Sequence, residues 1–147
     1  MPAINSSALA LDVGSKRIGL AIASLASRLP RPLKTLENDA DFVQALQAII
    51  DAENVEAVVV GLPRGLDGQA TDQTGVIKAF ADQLKGDLSL PIHFQDEAVT
   101  SRQAEDELKS RGKPYSRGDI DALAATYILQ DFLAELDQHA EHKETVA

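Results

Sequence analysis

Apolar residues along this chain fall into short runs of two kinds, and the kinds alternate. ALALDV (residues 8–13) is apolar without polar alternation, the pattern of a strand covered on both faces. Gly14 and Ser15 mark a turn, and RIGLAIAS (17–24) predicts a second strand, so the two form a hairpin. Pro30 and Pro32 bracket a third segment, about PLKTLE, placed as an edge strand. Helical spacing follows: Phe42, Val43, Leu46, Ile49 and Ile50 recur through about residue 53, with Asn38 or Asp39 as the cap.

EAVVVGLP (56–63) is a β-branched run closed by Gly-Leu-Pro, a buried strand entering the polar loop RGLDGQATDQ. Val76, Ile77, Phe80 and Leu84 predict a helix stopped at Gly86, and LPIHFQDE (90–97) a further strand. Thr100 with Gln103 has capping-box spacing and opens a helix that ends near Gly112. KPYSRG is a loop. The last helix runs from Asp119 to about His139, with Ile120, Leu123, Ala124, Tyr127, Ile128 and Leu136 on one side. The order β-β-β-α-β-α-β-α-α predicts an α/β fold, a mixed five-stranded sheet flanked by helices. The 147 residues suit one domain, 1–147, with residues 1–7 and about 138–147 expected to be flexible.

Composition narrows the function classes. No apolar run is long enough to span a bilayer, and MPAINSSA lacks a signal-peptide pattern, so a cytoplasmic protein is expected. The absence of cysteine excludes disulfides and thiolate metal sites. A net charge of -9 argues against broad nucleic-acid binding. The charge is uneven, however. The bases gather as Lys16-Arg17, as Arg28/Arg31/Lys34 and as Lys109/Arg111/Lys113/Arg117, which leaves room for a local basic face. Two Tyr, four Phe and no Trp leave few rings for stacking on bases.

Three acidic positions stand out by location. Asp12 ends the first strand, Asp96 and Glu97 end the last one, and Asp121 lies in the first turn of the final helix beside small residues. Sites in open α/β sheets gather at such strand ends. Small residues on the final helix would bring Asp121 toward them. Each acid also has a plainer reading: Asp12 as a turn cap, Asp121 as a helix-dipole partner, Asp96 and Glu97 as solvated strand ends. If the acids converge, their repulsion needs compensation, and an all-oxygen set favours Mg²⁺ or Mn²⁺ over zinc. If the strand alternates regularly, Ile92, Phe94 and Asp96 share one face and His93, Gln95 and Glu97 the other. His139 and His142 have metal-pair spacing, but they sit in an acidic tail and are read as solvated.

Four stretches carry a resemblance: LDVGSKRIGLAIA, VVVGLPRGLDGQ, HFQDEAVTSRQAE and DIDALAATYILQDFL. In this order, from about residue 8 to 134, the chain resembles the YqgF/RuvX family, described as pre-16S rRNA nucleases or Holliday-junction-resolvase-like proteins. The resemblance implies an RNase H-like fold and a metal-dependent nuclease. By position it implies Asp12, Asp96, Glu97 and Asp121 as catalytic acids, with Asp12, Asp121 and one of the Asp96–Glu97 pair, taken as Glu97, as the metal ligands. It implies precursor rRNA or branched DNA as the partner, with ribosomal precursor particles alongside. Lys16, Arg17, Arg64, Arg102, Lys113 and Arg117 are the candidate nucleic-acid contacts. One position departs from the family pattern: Ala98 stands where an arginine is usual, and Arg102, about one helical turn on, is the candidate substitute. A weakly catalytic ribosome-assembly module is the competing reading. A two-domain, actin-like ATPase does not fit the length.

Overall fold

The structure is a computed structural model that describes residues 6–63, 72–97 and 100–146; of Glu97, Thr100, Ser101 and residues 138–146 it describes only the backbone. Five strands and four helices follow in the expected order: β1 (Ser7–Val13), β2 (Arg17–Ser24), β3 (Arg31–Glu37), α1 (Phe42–Ala52), β4 (Val55–Pro63), α2 (Asp72–Asp87), β5 (Ile92–Glu97), α3 (Thr100–Ser110) and α4 (Arg117–Val146). The sheet order is β3-β2-β1-β4-β5. The first three strands form an antiparallel meander, and β4 and β5 join parallel to β1 through helical crossovers.

The period-2 alternation sorts side chains to two cores. Leu9 and Leu11 of β1, Ile18, Leu20 and Ile22 of β2, and Val58, Val60 and Leu62 of β4 pack with α1 and α2 on one face. Ala8 and Ala10 of β1, Ala21 and Ala23 of β2, and Val59 of β4 meet α4 on the other, through Ala125, Ile128, Leu129, Phe132 and Leu133. The alanine surface is the reason α4 lies so close: short side chains let its backbone approach the sheet. Helix α3 packs on the outside of α4, with Ala104 and Leu108 against Leu123 and Ala124.

Several boundaries differ from expectation. Ser6 and Ser7 are buried, and β1 opens at Ser7, one residue before the expected start of the strand. The N-cap of α1 is Asp41, not Asn38 or Asp39, and it makes no side-chain cap. Asp39 instead accepts from the Asp41 amide at 3.0 Å. Gly86 does not stop α2, which runs to Asp87. The buried stripe of α2 is Thr74, Ile77, Ala81 and Leu84, and Val76 is exposed. Thr74 is buried because its hydroxyl donates to the Pro63 carbonyl at 2.6 Å, which satisfies it. Helix α3 stops before Gly112, whose φ of +71° is the left-handed conformation that ends helices. Helix α4 begins two residues before Asp119 and continues through Val146, and Leu136 is exposed.

Candidate active site and nucleic-acid interface

One row of residues crosses the sheet under the start of α4. Asp12 lies opposite Gly19, and Gly19 lies opposite Thr35. Directly opposed residues share a face, and Gly19 precedes Ala21 on the α4 side. A Cβ built on Gly19 would fall 2.1 Å from the Asp121 carbonyl oxygen and 2.8 Å from the Ala122 nitrogen. The backbone of Asp121 therefore rests on Gly19, in the space any other residue would fill. Thr35 fastens the same turn from the other side, its hydroxyl donating to the Gly118 carbonyl at 2.7 Å. The row thus brings Asp12 and Asp121 to one face of the sheet, at the C-terminal end of β1.

The local sequence explains why α4 starts here. Ser116 and Asp119 cap the helix reciprocally: the Ser116 amide donates to the Asp119 carboxylate at 2.9 Å, and the Asp119 amide to the Ser116 hydroxyl at 3.2 Å. This S-x-x-D spacing is legible in the sequence and marks the helix start that the expected Asp119 boundary missed. The turn beneath is closed by the Gly14 amide on the Arg17 carbonyl at 2.8 Å. Asn38 braces it by donating from Nδ2 to the Gly14 carbonyl at 2.8 Å. Gly19, Thr35 and Asn38 are the positioning residues that sequence reasoning missed. The only available signal was Gly19 itself, since a glycine inside a strand marks close backbone approach.

Arg17 Nε donates to Asp121 Oδ2 at 2.9 Å. An expected nucleic-acid contact is thus engaged by an expected catalytic acid. Lys16 and Arg117 line the same small cleft, with Gly14 and Asp121. Lys113 and Arg117 stand exposed on the α3–α4 connection and the first turn of α4, and Arg102 is exposed on α3. Arg64 and Ala98 lie outside the described residues, as do the glycines of the 64–71 loop.

The last-strand acids separate by register. Asp96 pairs with Leu62, a member of the α1/α2 core. Asp96 therefore stands on the sheet face opposite Asp12 and Asp121, and the structure does not bring it to them. Glu97 closes β5 opposite Pro63. Two residues earlier, Gln95 reaches α4 by donating from Nε2 to Glu135 at 3.1 Å. His93 stacks near Phe132 on that same side, ring centroids 5.3 Å apart.

Two groups on α4 have raised pKa values. Glu107 of α3, which accepts from Arg111 at 2.8 Å, faces one of them, Tyr127. Burial first, then the Glu107 charge, pushes the Tyr127 phenol above its ordinary range. On α4, burial and the neighbouring Glu135 charge push the Asp131 carboxyl up.

This geometry has relatives. The RuvX family model, described as Holliday junction resolvase, matches residues 6–135. The chain belongs to the RuvX family. Its RuvX relatives include a protein of Crocosphaera subtropica, 42% identical over 131 residues that cover 86% of this chain and 92% of that one. A Rickettsia typhi protein is 40% identical over 86% of this chain and 83% of its own. A Chloroflexus aurantiacus protein is 40% identical over 85% of this chain and 84% of its own. All three carry the name "Putative pre-16S rRNA nuclease". Among solved structures, Thermus thermophilus RuvC in complex with Holliday junction substrate aligns with a TM-score of 0.53 at 15% identity, over 88% of this chain and 96% of that one. Fowlpox virus resolvase with substrate Holliday junction DNA aligns with a TM-score of 0.51 at 14% identity, over 88% and 98%. These likenesses establish that the RuvX chain has the RNase H-like fold.

The donor chemistry of the site suits a hard divalent cation. Asp12 and Asp121 are oxygen donors on one sheet face, and the Gly19 cradle seats the Asp121 backbone over the row that begins at Asp12. Among the described residues, no three acids or histidines gather closely enough to hold a metal ion. The Glu97 side chain, the third expected ligand, lies outside them.

Proposed function

We propose that this protein is a metal-dependent nuclease that hydrolyses phosphodiester bonds in structured nucleic acid, acting in the cytoplasm on the 5′ side of precursor 16S rRNA. The observation that carries this reading is the Asp12–Gly19–Asp121 arrangement: a glycine kept free of a side chain so that two acids on separate elements share one sheet face. The rRNA substrate is favoured by the shared name of the curated relatives, which span nearly the full length of this chain. Asp12, Asp121 and Glu97 are the ligands we assign to Mg²⁺ or Mn²⁺. Held there, the cation supplies a water of lowered pKa and charge stabilisation at the phosphate. Arg17 holds Asp121 in place before substrate arrives, and Lys16 and Arg117 bind phosphate beside it. Asp96, on the opposite face, has no part in this assignment.

The family description favours a second substrate, branched DNA, and one assay separates the two. Purified protein is incubated with Mn²⁺ and either a precursor-rRNA 5′ fragment or a four-way DNA junction. Cleavage of the RNA, lost in Asp12→Asn and Glu97→Gln and kept in Asp96→Asn, is the expected result. Cleavage of the junction alone replaces the substrate. Cleavage that persists in Asp12→Asn removes the nuclease assignment, and binding of ribosomal precursor particles without cleavage points to an assembly module.

A further inference from the structure

The cleft beside Asp121 does not end there. It shares Arg17, Arg117 and Asp121 with a second hollow of about 380 Å³. That hollow shares Tyr115 and Ser116 with a third, of about 610 Å³, between the edge strand β3 and the α3–α4 connection. Through these shared residues the three form one trough, from the β1–β2 turn, past Asp121, to the open edge of the sheet.

The lining of the far part is cationic and has one ring. Lys34 comes from β3, Arg111 from just past α3, where it pairs with Glu107 at 2.8 Å, and Lys113 from the connection. The sequence scatters these bases over some 80 positions, and only the fold assembles them. Among the described residues, Lys16, Lys34, Lys113 and Arg117 make no ion pair. The acids along the trough are engaged: Asp121 with Arg17, Asp119 in the helix cap, and Glu105 with Lys109 at 3.6 Å. On a protein of net charge -9, this is a local reversal of sign. Tyr115 is one of only two tyrosines in the chain. It is half-buried and packs against the Leu108 and Leu123 cluster, which fixes its ring at the junction of two hollows.

A positive groove with a fixed aromatic platform is how sequence-tolerant sites hold single strands. We propose that this trough carries the single-stranded flank of the nucleic-acid substrate away from Asp121 toward the β3 edge. Lys34 and Lys113 contact its phosphates, and Tyr115 stacks on one base. The direction of the flank rests on the nuclease reading, because Asp121 marks the scissile end. The binding site itself does not.

The test is fluorescence anisotropy in EDTA, with a labelled duplex that is blunt or extended by six unpaired nucleotides. Wild type is expected to bind the extended form more tightly. In the double variant K34Q/K113Q the ratio of the two affinities falls toward one. The log–log salt slope for the extended form drops by about 1.4, for two lost phosphate contacts on a single strand. Tyr115→Leu, which keeps the apolar packing, loses roughly five- to 150-fold in affinity for the extended form only. Unchanged melting temperatures confirm the fold, and if Tyr115→Leu does not fold, the lysine pair decides. Equal binding of blunt and extended duplex by wild type, or equal loss of both in K34Q/K113Q, overturns the proposal. Cleavage with Mn²⁺ is scored separately. Flank binding without cleavage keeps the trough and removes the nuclease, and cleavage without flank preference does the reverse.

Discussion

Arg17 Nε meets Asp121 Oδ2 at 2.9 Å, so a base from the start of β2 holds an acid from the second turn of α4. The pair is partly exposed, with side chains 36% and 22% accessible, and a pair of that kind contributes at most about 1 kcal/mol to stability. Its role is local: Arg17 occupies an oxygen that a cation would also use. Arg17→Met is therefore expected to bind Mn²⁺ more tightly in calorimetry of the free protein, with little change in melting temperature. Unchanged or weaker Mn²⁺ binding would show that Arg17 and the cation do not compete for Asp121.

Gly19→Ala is the sharpest structural test. Its methyl group would overlap the Asp121 carbonyl, and neither sheet nor helix backbone can yield cheaply. Overpacking of this kind costs about 1–3 kcal/mol, and the variant should lose stability in urea by at least that much. Cleavage should fall further than stability, because α4 carries Asp121 away from Asp12. A Gly19→Ala protein with wild-type urea midpoint would contradict the close approach.

Thr35 is expected to matter through one bond. Thr35→Val keeps the shape and removes the hydroxyl that donates to the Gly118 carbonyl. The loss should be about 1 kcal/mol in denaturant unfolding. A change below the error of the measurement would mean that this bond does not anchor α4.

Asp131 gives stability a pH dependence with a definite sign. Burial and Glu135 raise its carboxyl pKa in the folded protein above the unfolded value. The stabilising, protonated form is fully present below the unfolded pKa, about 3.9, and its contribution is lost as pH rises through the folded value. At neutral pH the ionised group is thus a liability. Asp131→Asn should melt at a higher temperature than wild type at pH 7, with the gain vanishing near pH 3. A gain that persists at low pH would assign the effect to something other than charge.

Much of this was written in the chain. Pattern named every strand and helix in order, because a sheet covered on both faces leaves short continuous apolar runs and its covering helices a period of 3.6. The stretch around Asp12, the DIDALAA segment and the family resemblance pointed to Asp12 and Asp121, which the fold sets on one face of the sheet. The boundaries that moved did so for tertiary reasons. Thr74 is buried because Pro63 offers it a carbonyl, and α4 starts early because Ser116 and Asp119 cap each other.

What the sequence determined by itself is the set of elements and the chemical character of the site: carboxylates at strand and helix ends, without cysteine. Pattern is local, and local pattern decides which side of an element is apolar. Only the tertiary structure decided which acids share a face of the sheet. Register across β4 and β5 sends Asp96 to the α1/α2 face, although it adjoins Glu97 in sequence. The empty Cβ position of Gly19 admits α4, and so places Asp121 over the row that begins at Asp12. The trough of Lys34, Arg111 and Lys113 likewise exists only once the edge strand and the α3–α4 connection face each other. Contacts between residues about 80 to 110 positions apart are fixed by packing and strand register, and no window of sequence contains them.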